Sequence, residues 1–236
     1  MKREERFDDS YYREWLCDHY VFNEERKAIV RFYLQMVLSR KQEVQRILDI
    51  GCAYGYFLSA CVEAGISEVY GVDVSLAAIQ KSKGLERAKV SQLDFSKEES
   101  YFDSGSFDAV TAFDVIEHVE DEGFFIRQAY RILKKDGLLF LITPNGDSWP
   151  RDIYMKLIYG RDDPTHINVQ GWRHWEDLLR NVGFRRVEIK GSLLHGFPPT
   201  TALRGKFKRF STVKPVLLPV RFGSKILDRL FIFATK

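Results

Sequence analysis

Cysteine is scarce: Cys17, Cys52 and Cys61 are the three in 236 residues. An odd number without metal-ligand spacing argues against a disulfide framework and against a zinc cluster, and fits a reducing, cytoplasmic setting. No uninterrupted apolar run is long enough to span a bilayer. The opening stretch, MKREERFDDSYY, is charged and lacks the apolar centre of a secretion signal. There is no internal repeat and no low-complexity tract. A dinucleotide-type G-x-G-x-x-G is missing, and so is the Lys-Ser or Lys-Thr pair of a Walker loop.

What is present has ordinary apolar and charged fractions, enough for one globular domain with additions. The net charge of +3 is too mild to announce nucleic acid. Its distribution says more. From Gly191 onward the chain carries Arg204, Lys206, Lys208, Arg209, Lys214, Arg221, Lys225, Arg229 and Lys236, against the single acid Asp228. The C-terminal fifth therefore holds a local basic excess.

Hydrophobic periodicity orders the elements. Ile29, Phe32, Tyr33, Met36 and Val37 form a helical stripe in the N-terminal region. Short apolar runs predict strands at 46–50, 68–73, 88–92, 107–113, 138–143, 184–190 and 229–235. Between them lie helical patterns. Tyr56 to Ala64 is stopped by Gly65, and the helix to about Lys83 can be capped by Ser75. Phe125, Ala129, Ile132 and Leu133 share one helix face. Lys134 and Lys135 are expected in that helix's last turn, with Gly137 closing it. The pattern from Trp172 to Val182 is closed by Gly183. Strands alternating with helices predict an α/β fold: a doubly wound, mainly parallel, seven-stranded sheet with helices on both faces. N-terminal helices (1–45) precede a core (46–190). A basic insertion (191–228) precedes the last strand (229–236).

The first strand runs straight into a glycine turn, ILDIGCAYGYF, at the sheet edge where ligands of open α/β folds bind. The spacing is Asp49-x-Gly51-x-Ala53-x-Gly55. A carboxylate at a strand tip repels a phosphate and favours a cation. Together with VYGVDVS, SQLDF, FDAVTAFDVIEHVED and LKKDGLLFLITPN, in that order, LDIGCAYG resembles the class I S-adenosylmethionine-dependent methyltransferases over roughly residues 47–190. Ala53 stands where many members have glycine.

That resemblance implies S-adenosylmethionine as cofactor and supplies its contacts. Gly51, Cys52, Ala53 and Gly55 would lie along the methionine portion, with Asp49 near the ammonium. Asp73, followed by Val74, would accept the ribose hydroxyls. Asp94 would take the adenine amine, and Phe95 would line the ring. Phe113 and Asp114 would stand beside the site of methyl transfer. Each carboxylate has a plainer alternative: Asp49 as a brace of the turn, Asp73 as a helix cap, Asp94 as a loop acid. For Glu117 and His118 a structural role at the start of a helix is the expected one.

The acceptor should be met by segments outside those motifs. Candidates are the N-terminal region with Tyr11, Tyr12, Trp15, His19 and Tyr20, the stretch 145–170, and the basic insertion. In RDDPTHINVQGWRHW, His166 is the candidate base or acceptor-orienting residue, because its ordinary pKa suits proton transfer near neutrality. The alternative is a loop histidine serving local backbone groups. His174 is expected to pack or to face solvent. His166 and His174 lack a third ligand at useful spacing, so no metal is expected. The basic insertion either touches anionic lipid as a peripheral membrane contact, or receives an anionic or lipid-linked acceptor, or is a solvated lid. Its prolines argue against one long amphipathic helix.

The expected activity is methyl transfer to a small-molecule or lipid-like acceptor, most simply at oxygen. The alternatives are an RNA or protein methyltransferase and a cofactor-holding module without turnover. Thr143-Pro144-Asn145-Gly146 stands where many amino-group methylating enzymes carry Asn-Pro-Pro-Tyr, and no separate RNA-binding module is seen. Nucleic acid is therefore not expected as a partner. Oligomeric state is not legible.

Overall fold

Residues 46–50 bury all but their first side chain, and neighbouring runs on both sides do much the same, so the chain builds outward from them. A computed structural model describes residues 7, 11, 24–149, 163–192 and 216–236. Within these the strands are β1 (Arg46–Ile50), β2 (Glu68–Asp73), β3 (Ala88–Gln92), β4 (Phe107–Phe113), β5 (Leu133–Pro144), β6 (Arg186–Ser192), β7 (Leu217–Pro219) and β8 (Arg229–Thr235). The helices are α1 (Glu24–Arg40), α2 (Tyr56–Glu63), α3 (Leu76–Ser82), α4 (Glu122–Ile132) and α5 (Trp172–Val182), with short 3-10 turns at Ile116–His118 and Val220–Phe222. No described helix is long and apolar enough to cross a membrane.

The strand order is β3-β2-β1-β4-β5-β8-β6-β7. The first five are parallel, and β8, β6 and β7 add antiparallel pairings beyond β5. The direction of winding reverses between β1 and β4, which opens the crevice where their carboxyl ends lie side by side.

Alternation along the central strands feeds two cores, one on each face. On β8, Leu230, Ile232 and Ala234 join α4 and α5 residues such as Phe125, Ile126, Trp175 and Leu179. Phe231 and Phe233 point the other way, toward Val30, Leu34 and Val37 of α1 and Phe57 of α2. Each such large side chain removed from water stabilises the fold by about 1.5–3 kcal/mol before entropy is counted. Ser75 caps α3, its hydroxyl accepting from Ala78 N at 3.3 Å, and Gly183 closes α5 at φ 119°.

Two expectations are corrected. The sheet has eight strands among the described residues, not seven. Leu217–Pro219, inside the segment read as an insertion, pairs with β6 at the edge, where a proline costs no ladder bond. Lys134 and Lys135 are not in a last helical turn. Leu133 is already extended and fully buried opposite Phe107, and Lys134 reaches Asp108 at 2.8 Å. The chain then turns through Asp136, at φ 59°, and Gly137 while the β4–β5 register shifts. Burial of Leu133 outweighs the dipole preference of the lysines. Cys17, Tyr12, Trp15, His19, Tyr20 and most of the basic insertion, including Lys206, Lys208 and Arg209, lie outside the described residues.

Candidate functional site

The turn after β1 takes three left-handed residues in five, Gly51 at φ 73°, Ala53 at φ 47° and Gly55 at φ 78°. Backbone bonds pin it: Gly51 N and Cys52 N both donate to Val72 O, at 2.7 and 3.1 Å. A Cβ at Gly51 would meet Val115 Cγ2 at 2.3 Å, so the loop after β4 rests directly on this turn. Cys52 is buried, and burial pushes its thiol well above the ordinary range, which makes it a packing residue without nucleophilic character.

Asp49, the penultimate residue of β1, is almost fully buried. Thr111 Oγ1, on the adjacent β4, donates to Asp49 Oδ1 at 2.7 Å. Burial pushes the Asp49 carboxyl up to about 7, with nearby Asp73 adding to the rise and the Thr111 bond opposing it. Asp73 stands at the tip of β2, its Oδ2 accepting from Ala53 N at 2.9 Å and its Oδ1 from Ser75 N at 2.8 Å. It therefore ties the glycine turn to the cap of α3. Val74 O accepts from Gln92 Nε2 at 3.0 Å, fixing the end of β3 beside it.

Asp94 Oδ1 accepts from Ser96 N and Ser96 Oγ, at 3.1 and 2.6 Å. Phe95 is a core residue, edge-on to Phe125 at 5.3 Å. Phe113 is half-buried between Tyr33, Phe57 and Phe140. Asp114 adopts φ 57° and pairs with Arg229; burial works to lower that guanidinium's pKa, and the Asp114 and Glu117 charges outweigh it and hold it above the ordinary value. These residues follow one another at the carboxyl ends of β1 to β4, and Asp49 and Asp73 close on the β1 turn. The set suits a ligand that is cationic and rich in hydroxyls, because a cation beside Asp49 offsets the cost of its burial.

Beyond Val115 in the chain a second group assembles. Glu117 and His118, on the 3-10 turn after β4, meet His166 from the loop before α5. The His118 and His166 rings lie 4.8 Å apart. His118 Nδ1 is 3.0 Å from Thr165 O and 3.0 Å from Thr165 Oγ1. Thr143 Oγ1 donates to Glu117 Oε2 at 3.1 Å. Asp163 organises the loop: its Oδ1 accepts from Thr165 N and Oγ1, and its Oδ2 accepts from Tyr11 OH at 3.3 Å and lies 3.7 Å from His166 Nε2. Burial raises the Glu117 carboxyl to about 8 and lowers His118 to about 4, so His118 is a neutral imidazole near neutrality. His174 lies elsewhere, on α5, edge-on to Trp175 and 3.2 Å from Glu122.

A family profile described as a methyltransferase domain matches residues 18–189, more than half of the chain. The chain belongs to the class I S-adenosylmethionine-dependent methyltransferases.

Relatives of this methyltransferase include the ubiquinone biosynthesis O-methyltransferase of Pelagibacter ubique, 32% identical over 150 residues, covering 63% of this chain and 61% of that one. The protein of the same name from Neisseria meningitidis serogroup A is 25% identical over 177 residues, covering 67% and 71%. Among solved structures, an S-adenosylmethionine-dependent methyltransferase from Archaeoglobus fulgidus superposes with TM-score 0.66 at 23% identity, over 93% of this chain and 100% of that one. One from Mesorhizobium loti gives 0.59 at 19% identity, over 86% and 96%. The last two likenesses concern the fold alone.

Several residues of this methyltransferase's crevice escaped the sequence reading. Thr111 was detectable in principle, since the parallel register of β1 and β4 sets it opposite Asp49. Arg229, Thr143 and Asp163 reach the site from distant parts of the chain, and no local pattern marks them.

Proposed function

We propose that this methyltransferase acts on a hydroxyl of a small-molecule acceptor, held against the Glu117–His118–His166 group. The observation that carries the reading is the make-up of that group: a carboxyl and two imidazoles, two of the three residues buried and His166 partly exposed, on and beside the 3-10 turn that follows Val115, whose side chain packs on Gly51. In this reading Asp49, Gly51, Cys52, Ala53 and Gly55 would hold the amino-acid end of the cofactor. Asp73 and Val74 would serve the ribose, Asp94 and Phe95 the adenine end, and Phe113 and Asp114 the neighbourhood of the sulfur.

The cofactor supplies a methyl carbon activated by positive sulfur. Transfer forms the C–O bond, breaks the C–S bond and releases the hydroxyl proton, so the protein must orient the acceptor and accommodate that proton. His166, about one quarter exposed, stands where it can orient the hydroxyl or receive its proton. The names of the curated relatives also speak for oxygen as the acceptor atom.

An anionic or lipid-linked acceptor, or a peripheral membrane contact through 191–228, fits the described end of that segment. There Val216, Leu218 and Ile226 are exposed beside Arg221 and Lys225. The cytoplasm, where the cofactor is made and thiols stay reduced, is the compartment this reading implies.

The test is release of demethylated cofactor with hydroxyl-bearing, amine-bearing and carboxyl-bearing small molecules, and with RNA. Turnover confined to hydroxyl compounds is expected, with His166→Ala slowing it while cofactor affinity holds. Turnover on RNA alone, or cofactor binding without turnover on any acceptor, would remove the reading.

A further inference from the structure

Tyr11 touches both halves of the site. Its side chain packs, with that of Tyr54, against Ala53 of the β1 turn and Ala78 of α3. Its hydroxyl donates to Asp163 Oδ2 at 3.3 Å, 152 positions along the chain. Phe7 braces it: the two rings meet edge-on at 4.9 Å, and Phe7 stands edge-on to His118 at 5.2 Å. One side chain thus joins the turn assigned to the cofactor and the loop that bears His166. We propose that Tyr11 is a positioning residue that couples the two: a cofactor held against the turn fixes Tyr11, and Tyr11, through Asp163, sets the loop 163–168 for the acceptor.

The build of the loop makes that one bond count. Asp163 is buried and organises the segment. Its Oδ1 accepts from Thr165 N and Thr165 Oγ1, at 2.8 and 2.6 Å, and its carbonyl accepts from His166 N at 3.1 Å. Those donors belong to the loop itself. Among the described residues, Tyr11 is the one donor to the Asp163 side chain from elsewhere in the chain. The loop has a further tether, Asn168 N to Glu117 O at 2.9 Å, which runs into the core beside buried Ile116. Tyr11 differs from that tether. Its partners lie on separate elements and it is only partly buried, so whatever fills the turn bears on it directly.

The hydroxyl suits a fixed role. Burial, with the Asp163 charge adding to it, pushes the phenol above its ordinary pKa, so it stays protonated and donates at any working pH. It supplies position and no proton. A bond to a carboxylate is charge-assisted and directional. Tyr11→Phe keeps the ring against Ala53 and Ala78 and removes only this bond. Coupling between two sites is reciprocal. If the cofactor steadies the loop through Tyr11, then loosening the loop at Asp163 weakens the cofactor, although Asp163 is not placed on it. The inference rests on the cofactor contacts proposed above and not on the identity of the acceptor atom.

The experiment uses the full chain with S-adenosylhomocysteine, the demethylated cofactor, read by amide hydrogen exchange and calorimetry. In the parent the ligand should slow exchange at 49–55 and 73–78, and also at Thr165, His166 and Asn168. In Tyr11→Phe the slowing at 49–55 and 73–78 should remain and the slowing at the loop should be lost. A tyrosine that only packs would instead speed the loop's exchange equally with and without ligand. Tyr11→Phe and Asp163→Asn, whose amide nitrogen cannot accept from Tyr11, should each weaken the ligand by roughly threefold or more, and the double variant no further than either. The proposal is overturned by loop slowing that survives Tyr11→Phe, or by affinity losses that add in the double variant. Slowing at 49–55 and 73–78 with none at the loop in the parent would keep the cofactor contacts and sink the coupling alone. Slowing confined to other parts of the chain would remove those contacts, and the coupling with them.

Discussion

Thr111 and Asp49 meet across the junction of β4 and β1, hydroxyl to carboxylate at 2.7 Å, both almost fully buried. The junction is also where the winding of the sheet reverses. A buried acid with a neutral donor is poorly compensated, and Asp49 is accordingly pushed up to about 7. The same feature that makes the folded chain reluctant to ionise this acid prepares it for a cation.

The first prediction is a proton-coupled affinity. Folded Asp49 holds its proton more tightly than an unfolded aspartate near 3.8, so its ionisation costs stability. That cost is absent below pH 3.8, grows as pH rises toward about 7, and is complete above. A cationic ligand needs the ionised form. Affinity for S-adenosylmethionine should therefore climb with pH up to about 7 and level off above it. Asp49→Asn should bind weakly with little pH dependence, yet melt no lower than the parent at pH 8. Calorimetry across pH 5.5–8.5 decides it, and a flat parent profile would count against Asp49 as the ammonium's partner.

Thr111→Val keeps shape and removes the donor. It leaves Asp49 without that bond in a dry place, at a cost of about 1–3 kcal/mol. Because the lost bond favoured the ionised acid, the pH at which affinity levels off should move upward. Denaturant melts give the first quantity and the calorimetric profile the second. An unmoved midpoint would mean that Thr111 does not tune Asp49.

The fold could be read from the sequence wherever one signal was local. The apolar runs of β4 and β8, Ser75 before α3 and the glycines after α2 and α5 each name their element without outside help. The end of α4 could not be read that way. Lys134 and Lys135 favour a helix C-terminus, but the pairing of Leu133 with Phe107, 26 positions earlier, wins by burial. The same division runs through the crevice. Asp49, Gly51 and Asp73 sit in one contiguous pattern each. The company of His166 is assembled by topology, from β4, the end of β5 and the loop before α5, and nothing in RDDPTHINVQ announces Glu117.

Asp73 bears on both structure and ligand. Each of its oxygens already receives a backbone N–H, from Ala53 and from Ser75. Asp73→Ala orphans both donors and should lower stability by about 1–3 kcal/mol. It should weaken cofactor binding as well. Asp73→Asn retains one acceptor oxygen and should recover part of the stability while cofactor affinity stays low, since its amide nitrogen cannot accept from the second hydroxyl of a diol. Parallel melts and cofactor titrations separate the two roles. Full cofactor affinity in Asp73→Asn would assign Asp73 to the turn alone.

Gly51 joins the two halves of the site, and its substitution has two separable costs. At φ 73° any side chain is strained, by about 1–2 kcal/mol. In addition, a Cβ would sit 2.3 Å from Val115 Cγ2. Gly51→Ala should therefore destabilise by more than the strain alone. Val115→Ala added to it should relieve the clash and leave the strain, so the double variant should recover only part of the loss. The residual would report the backbone requirement of the turn, and the recovered part the contact through which the β4 loop is held. Denaturant melts of the two single variants and the double form the cycle. Strict additivity would mean that Val115 does not rest on Gly51. A double variant as stable as Val115→Ala alone would mean that the turn has no need of a glycine there.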